Sequence, residues 1–224
     1  MGWRKLTFGI SVATYALLIR PQLLRLGASA QEAATSYPGD SYLPQVHIEA
    51  THAISVAAPR SAVWPWLAQM GRERTGFYGI DRLENWRIPS VTYIRQDIPA
   101  LALGTMLDNG LKVLDFVAEQ YLVIGGFDMP NDLGGRSDIT YAYCLASPEP
   151  DTTRLVIRMR TFTEGFAGWL YNRAFEVLDV WMMHARLKGI RERAERMVHP
   201  IEYETVPLAD LAPTGPIASS ENRS

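Results

Sequence analysis

The chain has 224 residues, enough for one domain with a substantial core and tight for two. Hydrophobic residues make up 47% and charged residues 21%, the balance of a globular protein, and the formal net charge is −2. That charge gives no sign of the basic face that phosphate contacts demand, so nucleic acid is not an expected partner.

The first segment is open to three readings. Leu6 to Ile19 carries no charge, with Trp3, Arg4 and Lys5 before it and Arg20-Pro21 after it. Fourteen residues of helix reach about 21 Å, short of the ~30 Å hydrocarbon core. The segment reads as a short membrane anchor with snorkelling Arg and Trp, as a signal peptide ending near Ala28-Ser29-Ala30, or as a helix docked on its own domain. The anchor reading makes membrane contact through residues 3–24, and a membrane-associated protein, an expectation; a cytoplasmic protein is the other. Ser29-Ala30-Gln31-Glu32 has capping-box spacing and predicts a short helix through about Thr35. Residues 1–45 are thus an apolar helix and lead-in.

From Val46 the pattern changes. Val46, Ile48, Ala50, Ile54 and Val56 alternate, predicting a long strand with one buried face. Pro59, Val63, Trp64, Trp66 and Leu67 predict a short amphipathic helix ending at Gly71, and a second covers roughly Phe77 to Trp86. Four strand-like runs follow, Leu111–Ala118, Tyr121–Phe127, Ile139–Ala146 and Arg154–Phe162, joined by turn-rich segments. The single cysteine, Cys144, lies in the third run, where a buried, inert thiol is expected. Short connections imply an antiparallel meander, because parallel crossovers need intervening helices. Phe166 to Val198 is free of proline and reads as one long helix, with Phe175, Leu178, Trp181, Met182 and Ala185 as its apolar stripe. The tail from 199 is expected to be disordered. Residues 46–198 therefore form an α+β helix-grip domain, a curved antiparallel sheet closed over an internal apolar cavity by the C-terminal helix.

Two segments, Ala58-Pro59-Arg60-Ser61-Ala62-Val63-Trp64-Pro65-Trp66-Leu67-Ala68-Gln69-Met70-Gly71 and Gly76-Phe77-Tyr78-Gly79-Ile80-Asp81-Arg82-Leu83-Glu84-Asn85, resemble a bacterial branch of the SRPBCC superfamily, which holds START-like lipid-binding domains and the polyketide cyclase/dehydrase group. Thr153-Arg154-Leu155 with Arg158 and Arg160, and Leu187 to Glu195, resemble its last strand and last helix. The resemblance implies the helix-grip fold and a deep hydrophobic pocket for an apolar ligand. Arg82 stands where an aromatic residue would be expected after the aspartate.

Within that frame several side chains are candidates. Tyr78, Asp81 and Asn85, at i, i+3 and i+7, share a face of the second short helix, with Glu84 at its edge. A phenol and a carboxylate at a cavity mouth bind or protonate a ligand carbonyl; a solvated face with Asp81 paired to an arginine is the plainer alternative. Arg158 and Arg160 alternate with Leu155, Ile157 and Met159. Facing the cavity they hold an anion or pair with Asp81 or Glu84; on the convex face, which the apolar set favours, they are solubility residues. His184, three residues after Trp181, is a candidate proton-transfer group or a structural histidine. Trp66, Leu178, Trp181 and Met182 are assigned to the cavity wall. No histidine or cysteine pair has metal-ligand spacing, and no Gly-rich phosphate loop or Gly-x-Ser-x-Gly elbow occurs, so no metal or cofactor is expected. Two functions remain: binding of a lipid, terpenoid or polyketide-type molecule, or cofactor-free cyclase or dehydratase chemistry with Asp81, Tyr78 or His184 as acid/base.

Overall fold

The computed structural model describes residues 15–131 and 135–199. A π turn, Tyr15–Ile19, runs into α1 (Arg20–Leu23), followed by α2 (Ala30–Ala34) and a short 3₁₀ turn, Asp40–Tyr42. Strand β1 (Ile48–Val56) precedes α3 (Arg60–Gln69) and α4 (Asp81–Glu84). Then come β2 (Met106–Asp108), β3 (Leu111–Val117), β4 (Tyr121–Pro130), β5 (Arg136–Ala146), β6 (Thr153–Thr163) and α5 (Gly165–Val198). The strands form one antiparallel sheet in the order β1-β6-β5-β4-β3-β2. Register shifts in β3, and in β4 between Gly126 and Met129, bend it around α5. This is the expected α+β helix-grip architecture.

Strand alternation sets the two faces. Ile48, Ala50, His52, Ile54 and Val56 on β1 align with Thr161, Met159, Ile157, Leu155 and Thr153 on β6, and these look toward α5. Met183, Leu187, Ile190 and Ala194 complete the core from the helix, and Trp66 and Leu67 from α3. Gly189 is required where α5 crosses the Tyr78 loop, because a Cβ there would lie 1.8 Å from the Tyr78 carbonyl oxygen.

The lead-in covers what the sheet leaves bare. Thr51 and Ala53 donate their N–H groups to the carbonyls of Leu24 (2.7 Å) and Leu26 (3.3 Å), so the free edge of β1 is capped. Ser29 and Glu32 make the expected capping box. Arg154 holds Glu32 and the Gly27 carbonyl, and Arg158 bonds Glu49 and the carbonyls of Ala33 and Thr35. Arg160 bonds Glu49 and the Leu43 carbonyl.

Three expectations need correction. The second short helix is one turn, Asp81–Glu84, not Phe77–Trp86; Tyr78 precedes it at φ 64° and Asn85 caps it. The face of α5 toward the sheet is not the stripe Leu178, Trp181, Met182 and Ala185: Trp181 is 64% exposed, while Asn172, Glu176, Val180, Met183, Arg186 and Leu187 are buried. The side chain of Phe175 and the tail from 200 lie outside the described residues. Arg158 and Arg160 do occupy the outer face, but as clamps on the lead-in, buried at Arg158 and partly buried at Arg160, rather than as solubility residues.

Candidate functional site

Inner-face residues of β5 are Ser137, Ile139, Tyr141 and Tyr143, in register with Thr163, Thr161, Met159 and Ile157 of β6. Over the middle of the sheet the space beneath α5 is filled. Arg186 donates through Nε (3.1 Å) and Nη2 to Glu84 Oε1, and through Nη1 to the Tyr143 hydroxyl at 2.6 Å. Its guanidinium lies 4.5 Å from the Phe77 ring centroid and 5.5 Å from that of Tyr141. Both ion partners are almost wholly buried. Long-range pairing thus replaces the deep apolar interior that the resemblance implies with a charged, hydrogen-bonded plug.

Beyond the plug, between α5 and the β4–β5 hairpin, a cleft of about 270 Å³ remains. Ile48, Met129, Pro130, Ile139 and Met182 supply apolar wall, and Tyr141, Asn172, Glu176 and Asp179 form its polar side. The Asn172 Oδ1 accepts from Thr163 Oγ1 at 3.3 Å, while its Nδ2 is buried without a hydrogen-bond partner. Glu176 is held by Arg20 (Nη2, 3.0 Å) and Arg173 (Nη1, 2.8 Å), so α1 is tied to the cleft wall. Desolvation pushes the Asp179 carboxyl up to about 7; Arg186 opposes the shift and Glu84 adds to it. Burial and the neighbouring Asp179 raise the Tyr141 phenol well above its ordinary value. The cleft can therefore present a neutral carboxyl and an unused amide donor to an oxygen-bearing group.

A second hollow of about 340 Å³ lies between α3, residues 94–101 and β3, lined by Trp64, Ala68, Ile98, Leu101 and Phe116. Its charged residues are engaged: Arg74 Nη2 with the carbonyls of Ala68 and Pro99, Arg95 with Asp97. Convergent polar groups with a perturbed carboxyl distinguish the first cleft, which is the better candidate site.

The sequence candidates are scattered. Met182 lines the cleft. Asp81 accepts from Asn85 Nδ2 (2.6 Å), Ser90 Oγ (2.6 Å) and Ser90 N (3.1 Å), while Asn85 accepts from Phe77 N; the knot fixes the loop before α4. The Tyr78 hydroxyl bonds Thr75 Oγ1 at 2.6 Å, and burial raises it to about 12. Trp66 packs edge-on against Tyr78 in the core, 5.7 Å between centroids. Glu84 belongs to the plug, Leu178 is half-buried on α5, and His184 and Trp181 are exposed. Asn172, Glu176, Asp179 and Arg186 were missed: each is a polar residue on the buried side of a helix, and the available signal was their i, i+4, i+7 and i+14 spacing on one face.

A six-stranded antiparallel sheet gripped by a long C-terminal helix defines the helix-grip class. No family model and no curated protein matches the chain. Among solved structures, a hypothetical protein of Helicobacter pylori is similar with a TM-score of 0.50 at 13% identity, over 75% of this chain and 99% of that one. A Nitrosomonas europaea protein (TM-score 0.41, 14% identity, 69% and 99% covered) and the Zhui aromatase/cyclase of Streptomyces sp. R1128 (0.33, 16%, 67% and 95%) are more distant. At these identities the likeness is one of fold.

Proposed function

We propose that the protein binds a small hydrophobic molecule, of lipid, terpenoid or polyketide type, in the cleft between β5, β6 and α5. The observation that carries this reading is a cleft with apolar walls whose buried Asn172 Nδ2 lacks a partner, a pairing that a ligand oxygen would complete. At about 270 Å³ it suits a ligand at the small end of the usual range of roughly 300–1,000 Å³. The SRPBCC resemblance points the same way.

A second reading, cofactor-free cyclase or dehydratase chemistry, is favoured by Asp179. A carboxyl titrating at about 7 in a partly dry cleft is poised to give or take a proton near neutrality. Asp81, Tyr78 and His184 remain the sequence-based alternatives for that role. The test is titration with the apolar dye N-phenylnaphthylamine, with native mass spectrometry for any retained compound. Ile139→Trp, which fills the cleft, should abolish dye binding, whereas Ala68→Trp in the second hollow should leave it intact. The reverse result, or no binding by the unmodified protein, refutes the proposed site.

A further inference from the structure

The first half of α5 carries an outer face that is not the usual polar one. Phe166, Leu170, Val177 and Trp181, spaced four, seven and four apart, fall on one side of the helix and are 78%, 56%, 50% and 64% exposed. Trp169 stacks on Phe166 at 5.8 Å, with the Arg173 guanidinium 5.5 Å from its ring. Arg173, paired with Glu176, falls within this stripe, and polar character resumes at His184 and Lys188.

The N-terminal segment brings further apolar surface to the same region. Leu17, Leu18 and Ile19 are 74%, 62% and 47% exposed. The Arg20–Glu176 ion pair joins the two elements: Ile19 precedes Arg20, and Val177 follows Glu176. Upstream, outside the described residues, Leu6 to Thr14 has no charged side chain, and Trp3, Arg4 and Lys5 stand at its far end. Two separate elements thus expose large apolar side chains near one partly buried ion pair, and the sequence upstream is itself apolar with an aromatic and basic end.

We propose that this combined face of α5 and the N-terminal segment docks on the surface of a lipid bilayer. Its composition, apolar and tryptophan-bearing with basic residues in the same segments (Arg25, Arg173, Lys188), is that of an element lying in the headgroup region. Among the described residues no helix is long and apolar enough to cross a membrane. The expected membrane contact through residues 3–24 is thereby extended to a face of the folded domain. This surface is independent of what occupies the cleft.

The test is co-sedimentation of the full chain with vesicles of phosphatidylcholine and phosphatidylglycerol. The unmodified protein should sediment with the vesicles. Leu170→Gln/Trp181→Gln and Leu17→Gln/Leu18→Gln, all at exposed positions, should each lower the partition at least about tenfold, since membrane binding scales with the apolar surface buried. Their melting temperatures should be unchanged, which separates lost docking from lost folding. Three outcomes overturn the proposal: no sedimentation of the unmodified protein; wild-type partition of Leu170→Gln/Trp181→Gln, which leaves the N-terminal segment as a bare tether; or a solution dimer that this variant dissociates, which makes a second copy the occupant.

Discussion

Replacing Arg186 tests the central structural claim, that a charged plug rather than empty apolar space fills the middle of the grip. In Arg186→Met the Glu84 carboxylate, 1% exposed, would keep only the Ile80 N–H (2.8 Å) as a bonding partner. Tyr143 would lose its 2.6 Å contact as well. Breaking a buried pair by removing one partner costs roughly 3–5 kcal/mol. For a domain of this size each kcal/mol lowers the melting temperature by about 2–4 °C, so a drop of about 6–20 °C is expected. Glu84→Gln in the same background should recover part of the loss, because no charge is then buried alone. Tyr143→Phe, which deletes one hydrogen bond to a charged group, should cost only ~1.5–3 kcal/mol. Urea unfolding followed by tryptophan fluorescence measures all three. A loss below about 1 kcal/mol for Arg186→Met would mean that the guanidinium is solvated, and the plug would not exist.

The remaining predictions concern other buried groups. Burial pushes the Cys144 thiol up to about 12, so thiol reagents at neutral pH should modify it only after unfolding; stoichiometric labelling of the native protein refutes this. Arg158→Met removes the clamp on Glu49 and the Ala33 and Thr35 carbonyls, and should cost about 2–4 kcal/mol and open residues 36–45 to limited proteolysis. Asp179 holds its proton in the fold up to about 7 but releases it near 3.8 when unfolded, so its contribution to stability falls as pH rises across that window; Asp179→Asn should remove that part of the pH dependence of melting. His52 is shifted the other way, down to about 4 by burial and then by His184, so its contribution is present above 6.5 and lost as pH falls toward 4; His52→Leu should flatten that acid limb.

The sheet was legible because its signal is local. Strands β3 to β6 follow from period-two alternation between turn residues, and their ends shift by three residues or fewer. The capping box at Ser29 and the start of α3 after Pro59 were readable for the same reason. Strand β2, only Met106–Asp108, is too short to alternate visibly. The overlong second helix failed on backbone grounds: Gly76 and Tyr78 take positive φ, which interrupts any helix before Asp81. The plug was invisible because Glu84 and Arg186 are 102 residues apart, and no window places a lone arginine on a buried helical face.

The error on α5 has one physical origin. Choosing the inward stripe by hydrophobicity selected Leu178, Trp181 and Met182, whereas the helix buries Asn172, Glu176 and Arg186 and leaves Trp181 outside. A helix that served only to close a sheet would do the opposite, since burying polar groups costs stability unless each finds a partner. From Met183 onward, Arg186 apart, α5 obeys the ordinary rule, with Leu187, Ile190 and Ala194 in the core and Glu192 and Arg196 outside. Apart from the plug residue Arg186, the departures are confined to its first half, where the polar cleft lies on one side and the exposed apolar stripe on another. Local disagreement between sequence pattern and fold marks places selected for something besides stability. The second half of the helix is therefore scaffold, and the first half is where substitutions should change binding more than folding.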